Sequence, residues 1–594
     1  MSKKNVDRRS FVKGAALAAL APVAQAALTP AAQAAPTAPA AHKWDRVADV
    51  VVIGSGAAGM PAAILAKENG ASVIVVEANR DIGGHAAVCS GGVQLGAGTK
   101  AQKDAGIVDT PDMLFKDLTD WSVVDPNGAA AYRYNDRDII RAFADNNVFA
   151  YDFLVEHGVT WTRPVPVGDG TSAGMSAPRG MGSAVMAWPR IQTGVVLDPA
   201  VQKTTEGGIG LMRPLEASAR KIGVEILLEH RMTSVIRENN NTGRVVGITV
   251  ETKGAKLNIR ARKGVIICTG GHSSNVNFRR IFDPRLTEEY CGVAGEPYTS
   301  QDASGEIAGM AVGASLWGTA NQTGEFGINM TRAGYIGTQY GYNGMRPTWG
   351  PASEYFHLVR ASGLAVKDYQ NVIEVNQAGM RFYTEAMVRY GPGSRNRSTY
   401  VPNNWRNAAD LKWNPNDYLP AAFGLNGGTG NGGGPIWTIF DAEAVKRENW
   451  TVEPPFVDKE QGFFFVANTI AELAACMSKN KYQKNPMPAK ALQDTIDRYN
   501  SFVDTGKDVD FDKPTPKYKI QTAPFYAAWS TPNVHDSRAG LRINARNQVQ
   551  DIKGEVIPGL YCAGESAGGF SEHGVSRCIV QGLIAGRNAI AEKV

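Results

Sequence analysis

Apolar and polar positions fall into order at Asp49. The run DVVVIGSGAAGMPAAILAKENGASVIVVEAN opens with four β-branched residues, Val50 to Ile53, which predict a buried strand. Glycines stop it, an Ala-rich helix follows, and a second apolar strand ends at Glu77. Further on, GVEILLEHRMTSVI and GRVVGITVETKGAKLNIRARKGVIICTGG read as strands joined by turns, with period-two alternation in VVGITVET. DASGEIAGMAVGASL, Asp302 to Leu316, predicts a small-residue helix packed closely on the sheet. From about Gly324 to Thr522 aromatics, Asn and Gly rise, and GLNGGTGNGGGP is a glycine-rich loop. The apolar pattern then returns in GLYCAGE and a last helix from about Cys578 to Lys593. These elements predict an α/β, Rossmann-like first domain over 45–323, completed by 523–594. An α+β capping domain, 324–522, is inserted into it.

The glycines after the first strand carry chemistry. In Gly54-x-Gly56-x-x-Gly59, Gly54 allows a tight turn, Gly56 lets backbone approach a pyrophosphate, and Gly59 lets the helix pack on the sheet. Ala57 and Ala58 begin that helix, whose N-terminus stabilises phosphate charge. Glu77, 18 residues beyond Gly59 and followed by Ala78, can accept hydrogen bonds from ribose hydroxyls. Strand, helix and terminal acid in this order favour a dinucleotide site over an ordinary βαβ turn.

Length and charge narrow the class. A chain of 594 residues with 43% hydrophobic and 20% charged residues is long enough for about two domains. Residues 1–41 stand apart from the fold. Arg8-Arg9, Ser10-Phe11-Val12-Lys13, an Ala/Leu stretch and A-x-A sites at Ala26 or Ala34 have the layout of a twin-arginine export signal with an Ala/Pro linker. The other reading is a basic tail. The stretch is too short and weakly apolar for a permanent span, so an integral membrane protein is not expected. Five of the cations lie in residues 1–26 against Asp7, and removing that segment lowers the net charge from +5 to +1. No strong field for nucleic acid or anionic lipid remains. The six cysteines show no C-x-x-C spacing, which argues against a metal, cluster or c-type haem site. Cys89, Cys268, Cys562 and Cys578 sit in apolar or glycine-rich runs, as free buried thiols do.

Taken together, EANRDIGGHAAVCSGGV, GRVVGITV, KGVIICTGGH, DASGEIAGMAVGASL, NQAGMRFYTE and GLYCAGESAGG resemble the fumarate reductase/succinate dehydrogenase flavoprotein superfamily, from about Asp49 to Lys593. That family includes soluble enoate reductases and 3-ketosteroid dehydrogenases. The resemblance implies FAD, held by the first glycine motif and by Gly84, His85, Gly91, Gly92, Thr269, Gly270, Gly271, Gly564, Glu565 and Ile579. His85 stands six residues before Gly91-Gly92, where membrane-bound members bond a histidine covalently to the flavin. The bland alternative is an imidazole hydrogen bond to the cofactor or a nearby carbonyl.

The resemblance also implies hydride exchange at flavin N5, with an arginine exchanging the proton on the neighbouring carbon. The family places that arginine four residues after the Glu of R-F-x-x-E. Here the segment is Arg381 to Glu385, and Arg389 is the candidate, although Tyr390 replaces the usual Asp. A surface arginine is the other reading. Substrate-clamping positions fall on His535, in VHDSRAGLRI, and on Arg577, in HGVSRC. The register of Arg577 is ambiguous and leaves His573 beside the flavin. The family's His-Pro-Thr segment has no counterpart in WGTANQTGEFGIN, which disfavours a dicarboxylate. The expectation is an exported, periplasmic FAD oxidoreductase acting on a small unsaturated acid or enone. A periplasmic cytochrome or a membrane quinol-linked protein would supply its electrons. A steroid-type dehydrogenase and a non-catalytic electron shuttle are the alternatives.

Overall fold

The structure is a computed structural model that describes residues 43–89, 91–119, 136–163, 165–167, 176–182, 207–239, 242–284, 286–292, 299–318, 328–331, 335–339, 361–382, 384–385, 435–570, 572 and 574–593. The proposed export segment, 1–41, lies outside them.

Strand β1 (Arg46–Ile53) leads through helix α1 (Gly59–Glu68) to β2 (Val73–Val76), and the two strands pair in parallel. Helix α2 (Gly84–Val88) follows, then α3 (Ile209–Lys221) and β3 (Glu225–Leu227), which adds in parallel to β2. Strands β4 (Arg231–Asn239), β5 (Thr242–Thr252) and β6 (Ala255–Ile267) form an antiparallel excursion. The long β6 then returns beside β1 in parallel. Helix α4 (Ser304–Ala311) is the small-residue helix expected from the sequence. A Cβ on its Gly305 would lie 2.2 Å from Thr269 Oγ1, so the glycine sets how closely α4 lies on the end of β6.

Beyond β7 (Ile328–Thr331), a second sheet combines β8 (Ile373–Val375), β9 (Trp437–Asp441) and β10 (Phe464–Ala467) with β11 (Phe525–Trp529). It is antiparallel, in the order β8-β9-β11-β10, and helix α5 (Ala489–Thr505) packs on it. Strand β11 lies three residues past the boundary read at 522. Its apolar pattern suits either sheet, and pairing of Trp529 with Trp437 decides for this one. Strand β12 (Asn533–Ser537) then pairs with β7. Strands β13 (Gln548–Gln550) and β14 (Val556–Cys562) and helix α6 (Val575–Ile590) finish the chain.

The main sheet runs β13-β14-β6-β1-β2-β3, with β5 and β4 extending from β6. Its central strands are buried on both faces, as parallel strands under helices are, which is why Val50 to Ile53 read as unbroken apolar sequence. Ile53, Val76 and Ile267 stand side by side, as do Ile267 and Cys562, so four parallel strands end at one level. Helix α6 covers α1 through two glycines: a Cβ at Gly582 would lie 2.1 Å from Ala58 O, and one at Gly586 2.7 Å from Ala62 O. His42–Val594 pack as one compact unit in which the two sheets keep separate apolar clusters.

Candidate functional site

Ligands of such sheets sit at the carboxyl ends of the strands, and there a cleft enclosing about 1380 Å³, counting its open mouth, runs across four strand ends. Gly54 turns the chain off β1 at φ +96°, and its N–H donates to Val76 O at 2.8 Å. Any Cβ at Gly54 would lie 2.3 Å from Cys268 O. Gly59 presses on the same turn, with 1.9 Å from its would-be Cβ to Gly54 O, and so serves packing rather than the wall. Gly56, Ala57 and Ala58 form the wall itself. Helix α1 begins without a side-chain cap, leaving first-turn N–H groups to face an anion. Glu77 lies in the wall with Ala78; its Oε2 accepts from Ser55 N at 2.9 Å and Ser55 Oγ at 2.6 Å. A bare backbone approach, an open helix N-terminus and an acid at the second strand end fit a dinucleotide cofactor.

The cleft continues along the second glycine turn. Thr269 and Gly270 line it, while Gly271 is a packing residue whose Cβ would lie 2.2 Å from that of Ser537. Thr269 Oγ1 meets Ser566 Oγ at 3.0 Å, tying the ends of β6 and β14 together. Gly564 and Glu565 line the wall beyond them. From the other side, Gly83 (φ +99°) and Gly84 (φ +47°) bend the chain into α2, which brings Gly84, His85 and Cys89 into the wall. Gly92 also lines it, whereas Gly91 (φ +79°) only turns the chain toward it. Sequence reasoning passed over Ser55, Asn79, Arg231, Gln301 and Asp536, all in the wall. Asp536 had a signal, since it directly follows His535.

Burial sets the protonation of this region. Glu565 is pushed up to about 8, first by burial and then by Asp536, against Arg577 and a hydrogen bond from Gln301 Nε2. Behind the wall His272 Nδ1 lies 3.2 Å from Glu306 Oε1, with both side chains fully buried. Burial, helped by Arg279, pushes the imidazole down to about 3, and burial raises the Glu306 carboxyl well above its usual range. The pair is therefore neutral at pH 7, despite the short contact. Burial also raises the thiols of Cys89 and Cys578, to about 11 and about 12, so both stay protonated.

The catalytic candidates separate. Arg577 is 1% exposed and is not among the residues of the cleft wall. Its Nη1 donates to Phe570 O at 2.6 Å and its Nη2 to Ser537 O at 3.1 Å, so the guanidinium holds main chain under the cleft. Ile579 is a core residue of α6, fully buried in the main apolar cluster, and its side chain is not part of the cleft wall. His535 lies on β12, one residue before Asp536. Arg389 and His573 lie outside the described residues. Just upstream of Arg389, Arg381 donates to Glu385 through Nε and Nη2, both at 2.9 Å, and through Nη2 to Asp508 Oδ2 at 2.9 Å. Lys513 Nζ lies 3.3 Å from Glu385 Oε2. Glu385 is pulled down to about 2: burial opposes ionisation, and Arg381 and Lys513 overcome it.

The comparisons with known proteins agree with this geometry. The FAD binding domain family matches residues 49–577. An acrylate reductase flavoprotein subunit of Shewanella woodyi is 28% identical over 99% of both chains. A fumarate reductase (cytochrome) of Shewanella frigidimarina is 26% identical over 92% of this chain and 74% of its own. Among solved structures, 3-ketosteroid delta1-dehydrogenase from Sterolibacterium denitrificans shares the fold with a TM-score of 0.62, at 19% identity over 92% of this chain and all of that one. A glycine-walled cleft at the strand ends and a family match across most of the chain lead to one assignment: the chain belongs to the FAD binding domain family and is an FAD-dependent oxidoreductase.

Proposed function

We propose that this chain is an exported enzyme that reduces, or introduces, an activated C=C bond next to a carboxylate or carbonyl. The observation that carries the reading is the make-up of the cleft wall. It includes Glu77, where a ribose would sit, the first glycine turn, and Asp536 and Glu565. There β12 pairs with β7, at the start of the stretch read as the cap. Glu77, Gly56, Ala57 and Ala58 would hold the nucleotide half of FAD, and Thr269, Gly270, Gly564 and Glu565 the remainder. Bound FAD supplies two-electron hydride chemistry. Its relatives named for acrylate and fumarate reduction support an unsaturated acid or enone as the oxidant.

Arg389 donates the proton to the carbon next to the activating group. A guanidinium is a poor acid, with a pKa above about 12, so its deprotonated form must be transient. Arg381, Glu385, Asp508 and Lys513 fix the chain four residues before it. Arg577 acts by holding the Phe570 and Ser537 carbonyls. In the bland reading of His85, which we adopt, FAD is held without a covalent bond. Export follows the twin-arginine layout of residues 8–26, and a periplasmic cytochrome or membrane quinol-linked protein returns the electrons.

The test is to reduce the purified flavin anaerobically and follow its reoxidation by unsaturated acids and enones, in the native chain and in Arg389→Ala. The reading expects reoxidation by at least one compound, and its loss in the variant with flavin retained. An unchanged rate in Arg389→Ala would turn the assignment to dehydrogenase chemistry of the steroid type. Reoxidation by protein partners alone would make the chain an electron shuttle.

A further inference from the structure

Ser55 stands between the first two motif glycines and is fully buried in the cleft wall. Its N–H and its hydroxyl both donate to Glu77 Oε2, at 2.9 and 2.6 Å, while the Asn79 N–H donates to Glu77 Oε1 at 2.9 Å. The same hydroxyl oxygen accepts from the Gly83 N–H at 3.1 Å. One side-chain atom thus joins the end of β2, where a ribose would sit, to the turn that enters α2. That turn is tight. Gly83 runs at φ +99° and its carbonyl accepts from Ala87 N at 3.2 Å. A Cβ on it would lie 2.8 Å from that of Ala87 and 3.2 Å from Met212 Cγ of α3. A Cβ on Gly56 would lie 3.7 Å from Gly83 O, so the two glycine turns rest against each other.

We infer that Ser55 is a positioning residue that couples the two halves of the cofactor site: an adenine nucleotide seated at Glu77 prepares the Gly83 turn for the flavin half. This draws on the FAD assignment and not on the C=C reading, so the two stand or fall separately.

Ser55 and Asn79 orient the Glu77 carboxylate, and Oε1, with one of the three hydrogen bonds, keeps a position for a ribose hydroxyl. A ribose there fixes the carboxylate. The carboxylate in turn fixes the Ser55 hydroxyl that donates to it, and so aims the lone pair that the Gly83 N–H uses. Beyond Gly83, α2 supplies Gly84, His85, Ala86 and Cys89 to the wall, and burial keeps the Cys89 thiol protonated. An imidazole, a methyl and a neutral thiol suit a flat ring better than a phosphate. Whichever half binds first bears the ordering of this relay and spares the second, which makes the two halves bind cooperatively.

The probes are ADP and riboflavin, which together make up FAD without the phosphoester bond that joins them. Full-length chain stripped of flavin, and shown to regain bound FAD, is titrated with riboflavin in the presence and absence of saturating ADP, with riboflavin fluorescence as the readout. ADP should tighten riboflavin binding about fivefold or more, and riboflavin should tighten ADP by the same factor. Ser55→Ala removes the acceptor of the Gly83 N–H and a donor to Glu77, and the coupling there should fall to about twofold or less. Ser55→Thr keeps the hydroxyl and should keep the coupling. In the native chain ADP alone should slow amide exchange at Gly83 and Gly84 by about fivefold, an effect absent from Ser55→Ala. Direct contact between the two ligands would couple them in every variant alike, so coupling undiminished in Ser55→Ala overturns the inference. Equal loss in Ser55→Ala and Ser55→Thr also overturns it, by assigning the effect to packing. In the native chain, where no variant is involved, it is overturned by riboflavin binding that is indifferent to ADP or absent with ADP saturating, or by exchange at Gly83 that ADP leaves unchanged. Failure of the enzyme to act on any C=C bond would leave each of these readings as it is.

Discussion

Replacing Glu385 by Gln keeps the shape of the side chain and removes its charge. Among the described residues its two oxygens serve four donors: Arg381 Nε and Nη2, the Glu374 N–H at 3.0 Å, and the Lys513 ammonium at 3.3 Å. All of the charged side chains involved are buried. Gln leaves Arg381 and Lys513 facing Asp508 alone and turns an NH₂ group toward a cation. Holding the carboxyl at about 2, against an ordinary 4.5, corresponds to about 3 kcal/mol of preference for the ionised form. Breaking one partner out of a buried ion network costs about 3–5 kcal/mol, so the two routes agree. Lys513 is instead pushed down to about 8, because burial outweighs its attraction to Glu385. The network therefore keeps Lys513 charged at pH 7 only by virtue of its anions.

The sign with pH is fixed by the direction of the shift. Glu385 is depressed, so its contribution is complete above about pH 4.5 and disappears as pH falls through about 2. Urea unfolding should show a loss of about 3 kcal/mol for Glu385→Gln at neutral pH. Amide exchange at Ile373–Val375, where Glu374 N–H donates to this carboxylate, should accelerate by a matching factor. The gap between native and variant should narrow below about pH 4. A loss under about 1 kcal/mol at neutral pH, or a gap indifferent to acid, would refute the view that this network is ionised and fixes the chain before Arg389.

Other consequences follow from the same structure. Glu306→Gln should change stability at neutral pH by less than about 1 kcal/mol in urea unfolding, because that carboxyl is already protonated beside His272. Gly582→Val should cost about 2 kcal/mol or more and lower the flavin-to-protein absorbance ratio, since its Cβ would push α6 off Ala58 O, in the turn that walls the cleft. Arg577→Met should destabilise by about 1–3 kcal/mol for each orphaned carbonyl, those of Phe570 and Ser537. A raised KM for unsaturated acids with stability intact would instead return Arg577 to the role of clamp. Acid precipitation should release the flavin into the supernatant; flavin that stays with the polypeptide, and is lost in His85→Ala, would establish a covalent bond.

Much of the fold was legible because backbone geometry restricts residue type. Gly54 must turn at φ +96° against Cys268 O, and only glycine can do so; the strand before it must be apolar throughout because both its faces are covered. The glycine turns at 54–59 and 269–271 therefore announced the cleft in the sequence. Gly59 and Gly271 show the limit of that signal: a motif glycine marks a close approach without telling whether ligand or protein approaches. Ile579 shows the same ambiguity, since an apolar helix position next to a motif reads alike whether it faces a ring or the core. Strand β11, just past the boundary read at 522, joins the second sheet, and strand composition alone does not name a partner strand.

The chemistry was harder to read because one residue type meets four different surroundings here. Glu77 accepts from Ser55 and the Asn79 N–H in a polar turn. Glu385 is driven to ionise by two cations. Glu306 is kept neutral by burial beside an imidazole that is itself uncharged. Glu565 is balanced near neutrality by Asp536 on one side and Arg577 on the other. Burial alone would raise Glu385, Glu306 and Glu565; what separates them is the sign and number of charges the tertiary fold brings within a few ångströms, from residues up to about 130 positions away, as Asp508 is from Arg381. Spacing along the chain cannot encode that. An acid that keeps its proton and one that ionises to fix a loop therefore look alike until the sheets are assembled, and variants that change charge without changing shape are the ones that tell them apart.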